Sequence, residues 1–403
     1  MKLLIVSKDI HIIQAKNGAF FINHHFDEEI FKRYLDICDE LTLYVRESEQ
    51  IISFDDAVMK YNKFDISLMR LFIGPYIYSP KTNFFNIRLR IELANEIKRL
   101  VKETDKLICT EGFCVFSRLA VKYAKRYKKP YMLLCGSFVY EGLVAHSFLG
   151  KIRAPFEEFM CKRNFKEAPY TMYVTQSVLQ KRYPCNGKSI GCSDVEISLI
   201  DDERKNAKIE RIKNIGDRKL IIGTLGYIDN PVKGQAYVIE AMKRLVDLGF
   251  TNYEYQIVGS GNGNRLKRLI AKYGLEDKVK IIGPIPHRSV FMWLDSLDIY
   301  IQPSLTEGLV RAVIEAMSRV CPVAGSATGG MVELIDPQYS FSPGNIDEIV
   351  AVIQKLSQPE HMEQAIIYSY NKAKEFSPEI LSEKRNAFLR QFMLTEFFGG
   401  ETI

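Results

Sequence analysis

The chain has 403 residues, too many for one ordinary hydrophobic core, so two domains are expected. Hydrophobic residues make up 47% and charged residues 26%, the balance of a soluble globular enzyme; a formal net charge of +6 is too weak to point to nucleic acid and is compatible with anionic substrates or an anionic membrane surface. No apolar run reaches the about 18 residues of a membrane helix, and the eight cysteines form no Cys-x-x-Cys pair, which argues against a spanning protein, a disulfide scaffold and a zinc site and points to reduced thiols in the cytoplasm.

In chain order, residues 3–6 read as a first buried strand, followed by Lys16-Asn17-Gly18-Ala19 as a turn. Residues 27–39 have helical spacing at Ile30, Phe31, Tyr34, Leu35 and Cys38. Then come a strand at 40–45, a basic amphipathic helix at 87–101, a strand at 106–110, a helix at 115–127, and strands at 130–134 and 171–175. The polar stretch 193–218 carries no strand signal and reads as a hinge region. Beyond it the alternation restarts, with strands at 219–224, 253–258, 279–282, 298–302 and 321–324. Helices fall between them at 234–248, 265–273, 289–296 and 308–318, another starts at 332–335, and the tail 348–398 is mostly helical. Alternating strands and helices imply parallel sheets covered on both faces. The expected architecture is α/β, with two Rossmann-like doubly wound domains facing a cleft and ligands at the carboxyl ends of the strands. The expected division is residues 1–195, residues 196–370, and a tail 371–403 packing back on the first domain.

The densest chemistry lies in 303–315, PSLTEGLVRAVIE. Glu307 and Glu315 stand eight positions apart, and an apolar helical run opens at Gly308. Eight helical residues rise about 12 Å, so the two carboxylates can grip opposite ends of one elongated ligand. A sugar joined through a diphosphate to a nucleoside has that length, and a helix start offers its free N–H groups and positive dipole end to the diphosphate. Four other segments surround this one. In 224–235, TLGYIDNPVKGQ, the loop holds Gly226 and ends in Lys233, read as a diphosphate clamp or a solvated lysine. In 258–263, VGSGNG, Gly259 belongs to a tight turn beside the ligand rather than to a nicotinamide site, because no acidic residue is clearly placed about 20 positions on. In 282–285, IGPI, Gly283 and Ile285 either present backbone to a nucleobase edge or merely turn into the next helix. In 325–333, GSATGGMVE, the loop offers N–H groups to the cleft or only caps a helix. From the first domain, Gly18 is a candidate for close backbone approach to the donor, and His146, read as lying in a loop after the 130–134 strand, is the acceptor-side candidate. No Asp-x-Asp trio follows a strand, so no metal is expected.

Taken together, these segments resemble the family 4 glycosyltransferases with the GT-B fold, through the pattern PS-x-x-EG…EAM…PV…GG-x-x-E across the second half. Residues 173–184, YVTQSVLQKRYP, add a likeness to bacterial enzymes that build capsular or lipopolysaccharide chains. The resemblance implies retaining sugar transfer from a nucleotide-sugar, with no cofactor beyond that donor. It gives Glu307 the donor sugar and Glu315 the ribose. It sets the N–H groups of Gly308, Leu309 and Val310 against the diphosphate, with Lys233 neutralising the leaving phosphate. It further implies a same-face displacement in which that phosphate takes the acceptor proton. Two departures stand out. Thr224 or Leu225 occupies the place of the usual Arg, and Cys135-Gly136-Ser137 occupies the place of the usual first-half His. The acceptor is expected to be a glycan or a lipid-linked molecule. Basic–aromatic segments at 70–90 and 151–166 suit peripheral contact at the inner face of a membrane. Two other functions are open: a nucleotide-sugar epimerase of the same fold, and a catalytically degenerate partner subunit.

Overall fold

The computed structural model describes residues 1–22, 28–47, 53–75, 77, 83, 86–110, 114–146, 148–214, 216 and 218–396. The first sheet contains β1 (Lys2–Gln14), β2 (Phe20–Ile22), β3 (Glu40–Glu47), β4 (Asn62–Lys63), β5 (Arg70–Gly74), β6 (Lys106–Thr110), β7 (Tyr131–Cys135), β8 (Tyr170–Tyr173) and β9 (Lys188–Gly191). Seven of these form a parallel run in the order β5-β3-β1-β6-β7-β8-β9. Its central strands are continuous apolar stretches because both faces are covered. Leu3 and Ile5 enter one core cluster, whereas Leu4 and Val6 enter the other.

The start of the chain departs from the reading of a short strand. β1 continues through a register shift between Val6 and His11 and pairs antiparallel with β2, which in turn pairs with β4. Ile10, Ile12 and Ile13 carry the strand on because each is buried. Gly18, at φ +86°, is the turn of this hairpin, and its N–H donates to the Ala15 carbonyl at 2.8 Å.

The second sheet contains β10 (Leu220–Leu225), β11 (Tyr253–Val258), β12 (Val279–Gly283), β13 (Ile299–Gln302), β14 (Val323–Ser326) and β15 (Ser340–Phe341). All its pairings are parallel, in the order β12-β11-β10-β13-β14-β15. The chain winds outward from β10 to β12 and then returns to place β13 on the other side of β10. That reversal opens a crevice at the carboxyl ends of β10 and β13.

The polar stretch between the sheets holds a helix, Asp202–Lys213, which the sequence reading leaves as hinge. Asp201 caps it by accepting from the Arg204 N–H at 2.9 Å, and only Ile209 and Ile212 are buried, so its apolar face is narrow. The last helix, Pro378–Leu394, lies against the first sheet. Phe388 and Phe392 pack against Tyr170 with their rings tilted and edge-on, and Lys106 donates to the Phe392 carbonyl at 3.3 Å. Among the described residues no helix is long and apolar enough to cross a membrane.

Candidate functional site

Five loops meet at the carboxyl edge of the second sheet. In sheet order they follow β12, β11, β10, β13 and β14, and they carry Gly283, Gly259, Lys233, Glu307 and Gly329. Neighbouring loops are locked together. The Gly259 N–H donates to the Gly283 carbonyl at 3.0 Å, and the Gly226 N–H to the Val258 carbonyl at 2.9 Å. Gly259 has φ +151°, and a Cβ there would collide with the Gly226 carbonyl, so only glycine allows this approach. Asp229 latches the 259–263 turn by accepting from the N–H groups of Asn262 at 2.7 Å and Gly263 at 2.9 Å. These backbone donors hold the Asp229 carboxyl below its usual range.

The loops after β10 and β13 are zipped across the switch point. The Leu305 N–H donates to the Val232 carbonyl at 2.8 Å. Gly234, at φ +72°, packs so closely that a Cβ would strike the Pro303 carbonyl. This places Lys233 Nζ 2.6 Å from Glu307 Oε1. The side chains of Lys233 and Glu307 are 26% and 14% exposed, so the pair sits in a crevice rather than in bulk water.

Glu307 is held by a buried relay. Tyr300 OH donates to Gln302 Oε1 at 2.7 Å, Gln302 Nε2 to Ser304 Oγ at 2.8 Å, and Ser304 Oγ to Glu307 Oε1 at 2.6 Å. Tyr300, Gln302 and Ser304 are fully buried, so the relay fixes the carboxylate before any ligand arrives. Burial raises the Tyr300 phenol far above its ordinary value, and the charges of Glu315 and Glu307 push in the same direction. Glu315 is half-buried.

The helix after β13 starts three residues later than the sequence suggests. It runs Arg311–Ser318, and its N-cap Val310 provides no side-chain cap. Gly308, Leu309 and Val310 form the approach to that uncapped start. Gly308 touches the opposite lobe, since a Cβ on it would collide with the Gly136 carbonyl after β7, and its own carbonyl accepts from the Gly330 N–H at 2.7 Å.

Other sequence candidates lie differently. Gly18 is exposed, with nothing within 4 Å of a Cβ built on it, and is not brought to the five loops by any close packing of its own. His146 is the last residue of the helix Val139–His146 rather than part of a loop, about 10 Å along from the residue nearest the β7 end. Gly283, at φ +84°, leaves open space beside the loop that ends in the partly buried Ile285. Thr224 faces the core: its hydroxyl donates to the Ile301 carbonyl at 2.7 Å and accepts from Tyr255 OH at 2.9 Å, so it does not stand where a phosphate-binding arginine would.

Three contributors escape a reading of the sequence: Asp229, Ser304 and Glu333 in its actual role. Ser304-x-x-Glu307 is a spacing that brings hydroxyl and carboxylate together across one turn, which is the available signal for Ser304. Glu333 does not serve a ligand loop. It reaches the other lobe and accepts from the N–H groups of Gln176 and Ser177 at 2.7 Å and Val178 at 2.8 Å.

Residues 205–373 match the family model described as glycosyl transferases group 1. Protein CapJ of Staphylococcus aureus is 26% identical over 408 residues, which covers 100% of this chain and 99% of CapJ. The amylovoran biosynthesis glycosyltransferase AmsK of Erwinia amylovora is 33% identical over 186 residues, 43% of this chain and 44% of AmsK. Among solved structures, sucrose-phosphate synthase of Thermosynechococcus elongatus superposes with TM-score 0.68 at 15% identity, covering 97% of this chain and 98% of the synthase. Anabaena HepE in complex with UDP-glucose gives TM-score 0.64 at 14% identity, covering 97% and 100%. These structural likenesses identify the fold as GT-B, and within it residues 205–373 are similar to the group 1 glycosyl transferases.

Proposed function

We propose that this protein is a retaining, metal-independent hexosyltransferase. It takes a nucleotide-sugar donor and passes the sugar to a glycan or lipid-linked acceptor in the synthesis of a bacterial surface polysaccharide. The observation that carries this reading is the Lys233–Glu307 pair, held at 2.6 Å at the switch point beside an uncapped helix start. A cation and free N–H groups suit a diphosphate, and a carboxylate fixed by a buried relay suits sugar hydroxyls. The substrate class draws support from the matches to AmsK and to a putative colanic acid biosynthesis glycosyltransferase of Escherichia coli.

In this reading residues 196–370 hold the donor, residues 1–195 face the acceptor, and the 371–403 tail ties the two. Glu315 takes the ribose, and the loop at Gly283 and Ile285 takes the base. The bond from the anomeric carbon to the phosphate oxygen breaks while the acceptor oxygen bonds to the same face. The acceptor proton passes to the departing phosphate oxygen. Lys233 leaves Glu307 to meet the phosphate as negative charge grows there, which is where electrostatic stabilisation gains most. The protein works in the cytoplasm at the inner face of the membrane.

The test is incubation with a panel of nucleotide-sugars and a bacterial glycolipid extract, with and without a chelator, and assignment of the product's anomeric configuration by NMR. A product that keeps the donor's configuration and forms equally with chelator is expected. An inverted product, or a chelator-sensitive rate, contradicts the reading. An epimer formed from donor alone identifies the epimerase instead.

A further inference from the structure

The helix Phe148–Lys166 is apolar on two faces. One face is core: Ala154, Cys161 and Phe165 are buried. The other points to solvent. Leu149, Ile152, Phe156 and Phe159 are 67%, 65%, 61% and 63% exposed, and their spacing of three, four and three residues makes one continuous stripe. Four large side chains left exposed in a row mark a surface that meets something other than water.

The charges around the stripe are sorted by sign. The helix carries five bases and two acids. Both acids, Glu157 and Glu158, are turned inward and buried, where Arg118 meets Glu157 at 2.8 Å and Arg182 meets Glu158 at 2.6 Å. Lys151, Lys162, Arg163 and Lys166 remain exposed. The outward face is thus apolar along its crest and basic along its flanks.

A second patch of the same kind lies at the same end of the lobe. The helix Ile87–Glu103 opens with Ile87 at 73% and Ile91 at 54% exposure, beside Arg88. It and the stripe-bearing helix flank the helix Val115–Arg126, and all three bury residues in one core cluster. At about 8–10 Å per helix–helix contact, the two patches stand about 20 Å apart on one side of the lobe. The stripe-bearing helix is also tied to the chain just after β7. Tyr183 OH accepts from the Val139 N–H at 2.9 Å and donates to Glu158 at 2.8 Å, so Glu158 is level with the loop after β7. Leu149 lies nine residues earlier on the same helix, about 13 Å from that level.

We propose that this face, with Leu149, Ile152, Phe156 and Phe159 at its crest, docks on the surface of an anionic lipid bilayer. Separate apolar anchors with basic flanks and no outward acid on the stripe-bearing helix match a flat, negatively charged surface. The docking rests on the transferase reading only for its purpose, which is to set the first lobe's cleft against a lipid-linked acceptor.

The test is sedimentation with vesicles of phosphatidylcholine alone or mixed with phosphatidylglycerol. The variants are Phe156→Ser with Phe159→Ser, and Lys151→Glu with Lys166→Glu. Wild type is expected to bind the anionic vesicles at least about tenfold better than the neutral ones and to release as salt is raised. The serine pair should weaken binding to anionic vesicles by about tenfold or more, and the charge reversals should erase the preference for anionic lipid. All four substituted side chains and their replacements face water, so melting temperatures should not move. Wild type that stays in solution, or variants that bind as wild type does, overturns the proposal. A wild-type dimer on gel filtration that the serine pair converts to monomer overturns it in favour of a second copy on this face. A nucleotide-sugar thermal shift on the same samples keeps the two readings apart: vesicle binding without a donor shift upholds the docking and sinks the transferase, and a donor shift without vesicle binding does the reverse.

Discussion

Glu333 of the second lobe caps a helix of the first through Ser177, accepting from its N–H at 2.7 Å and its Oγ at 2.9 Å. Ser177 is the N-cap of the helix Val178–Arg182 and supplies no cap with its own side chain, so the carboxylate from across the cleft does that work. Ligand loops and lobe contact are continuous here, because the Gly308 carbonyl beside Glu307 accepts from Gly330, three residues before Glu333. The contact between the lobes and the shape of the Glu307 loop are therefore coupled.

Replacing Glu333 by Ala removes this clasp. A lost helix cap costs about 1–2 kcal/mol, enough to shift a balanced closed state towards an open one by about tenfold. Small-angle scattering should give a larger radius of gyration for Glu333→Ala than for wild type, and acceptor KM should rise with donor Kd nearly unchanged. An unchanged radius with an unchanged KM removes the clasp from the mechanism. Gly308→Ala should act in the same direction, since its Cβ would push on the Gly136 carbonyl of the opposite lobe.

Glu307→Gln keeps the shape of the site and one acceptor for Ser304. It removes the charge that holds Lys233 and that the proposed function assigns to the sugar. Initial rates should fall by about a hundredfold or more while calorimetric nucleotide affinity changes by less than about threefold. Full activity in this variant would take Glu307 out of the reaction.

Acidification tests the Asp229 latch. Its carboxyl is held below the ordinary value by two backbone donors, so its folded pKa lies under the unfolded value of about 3.9. The contact then contributes fully above about pH 5 and is lost only as pH falls through the folded value. The melting-temperature gap between wild type and Asp229→Ala should be flat from pH 8 to pH 5 and shrink below about pH 4. A gap that widens on acidification contradicts the assignment.

Much of the second lobe is legible in the sequence because its strands are short runs, buried throughout or at alternate positions, separated by glycine-bearing loops. β11 has the expected bounds, and β10, β12 and β13 fall within a residue or so of theirs. The first lobe is harder. β1 and β2 form a hairpin because Ile10, Ile12 and Ile13 prolong the strand, and periodicity in six residues cannot reveal a continuation through a register shift. The helix Phe148–Lys166 is apolar on opposite sides, so it has no single amphipathic face to find, and the pattern of basic and aromatic residues is all that marks it. The Glu307–Glu315 spacing and Lys233 are visible because they sit within short contiguous motifs. Glu333 with Ser177, 156 positions apart, is invisible, because only the docking of two lobes brings them together.

The donor's place at the β10–β13 switch point is most directly tested by isothermal calorimetry with nucleotide-sugars on wild type and Lys233→Ala. Charge-assisted hydrogen bonds contribute about 1.5–3 kcal/mol each, so at least one donor should bind wild type and lose about ten- to a hundredfold in affinity in the variant. Equal affinity in the two proteins for every donor that binds would contradict the site described here.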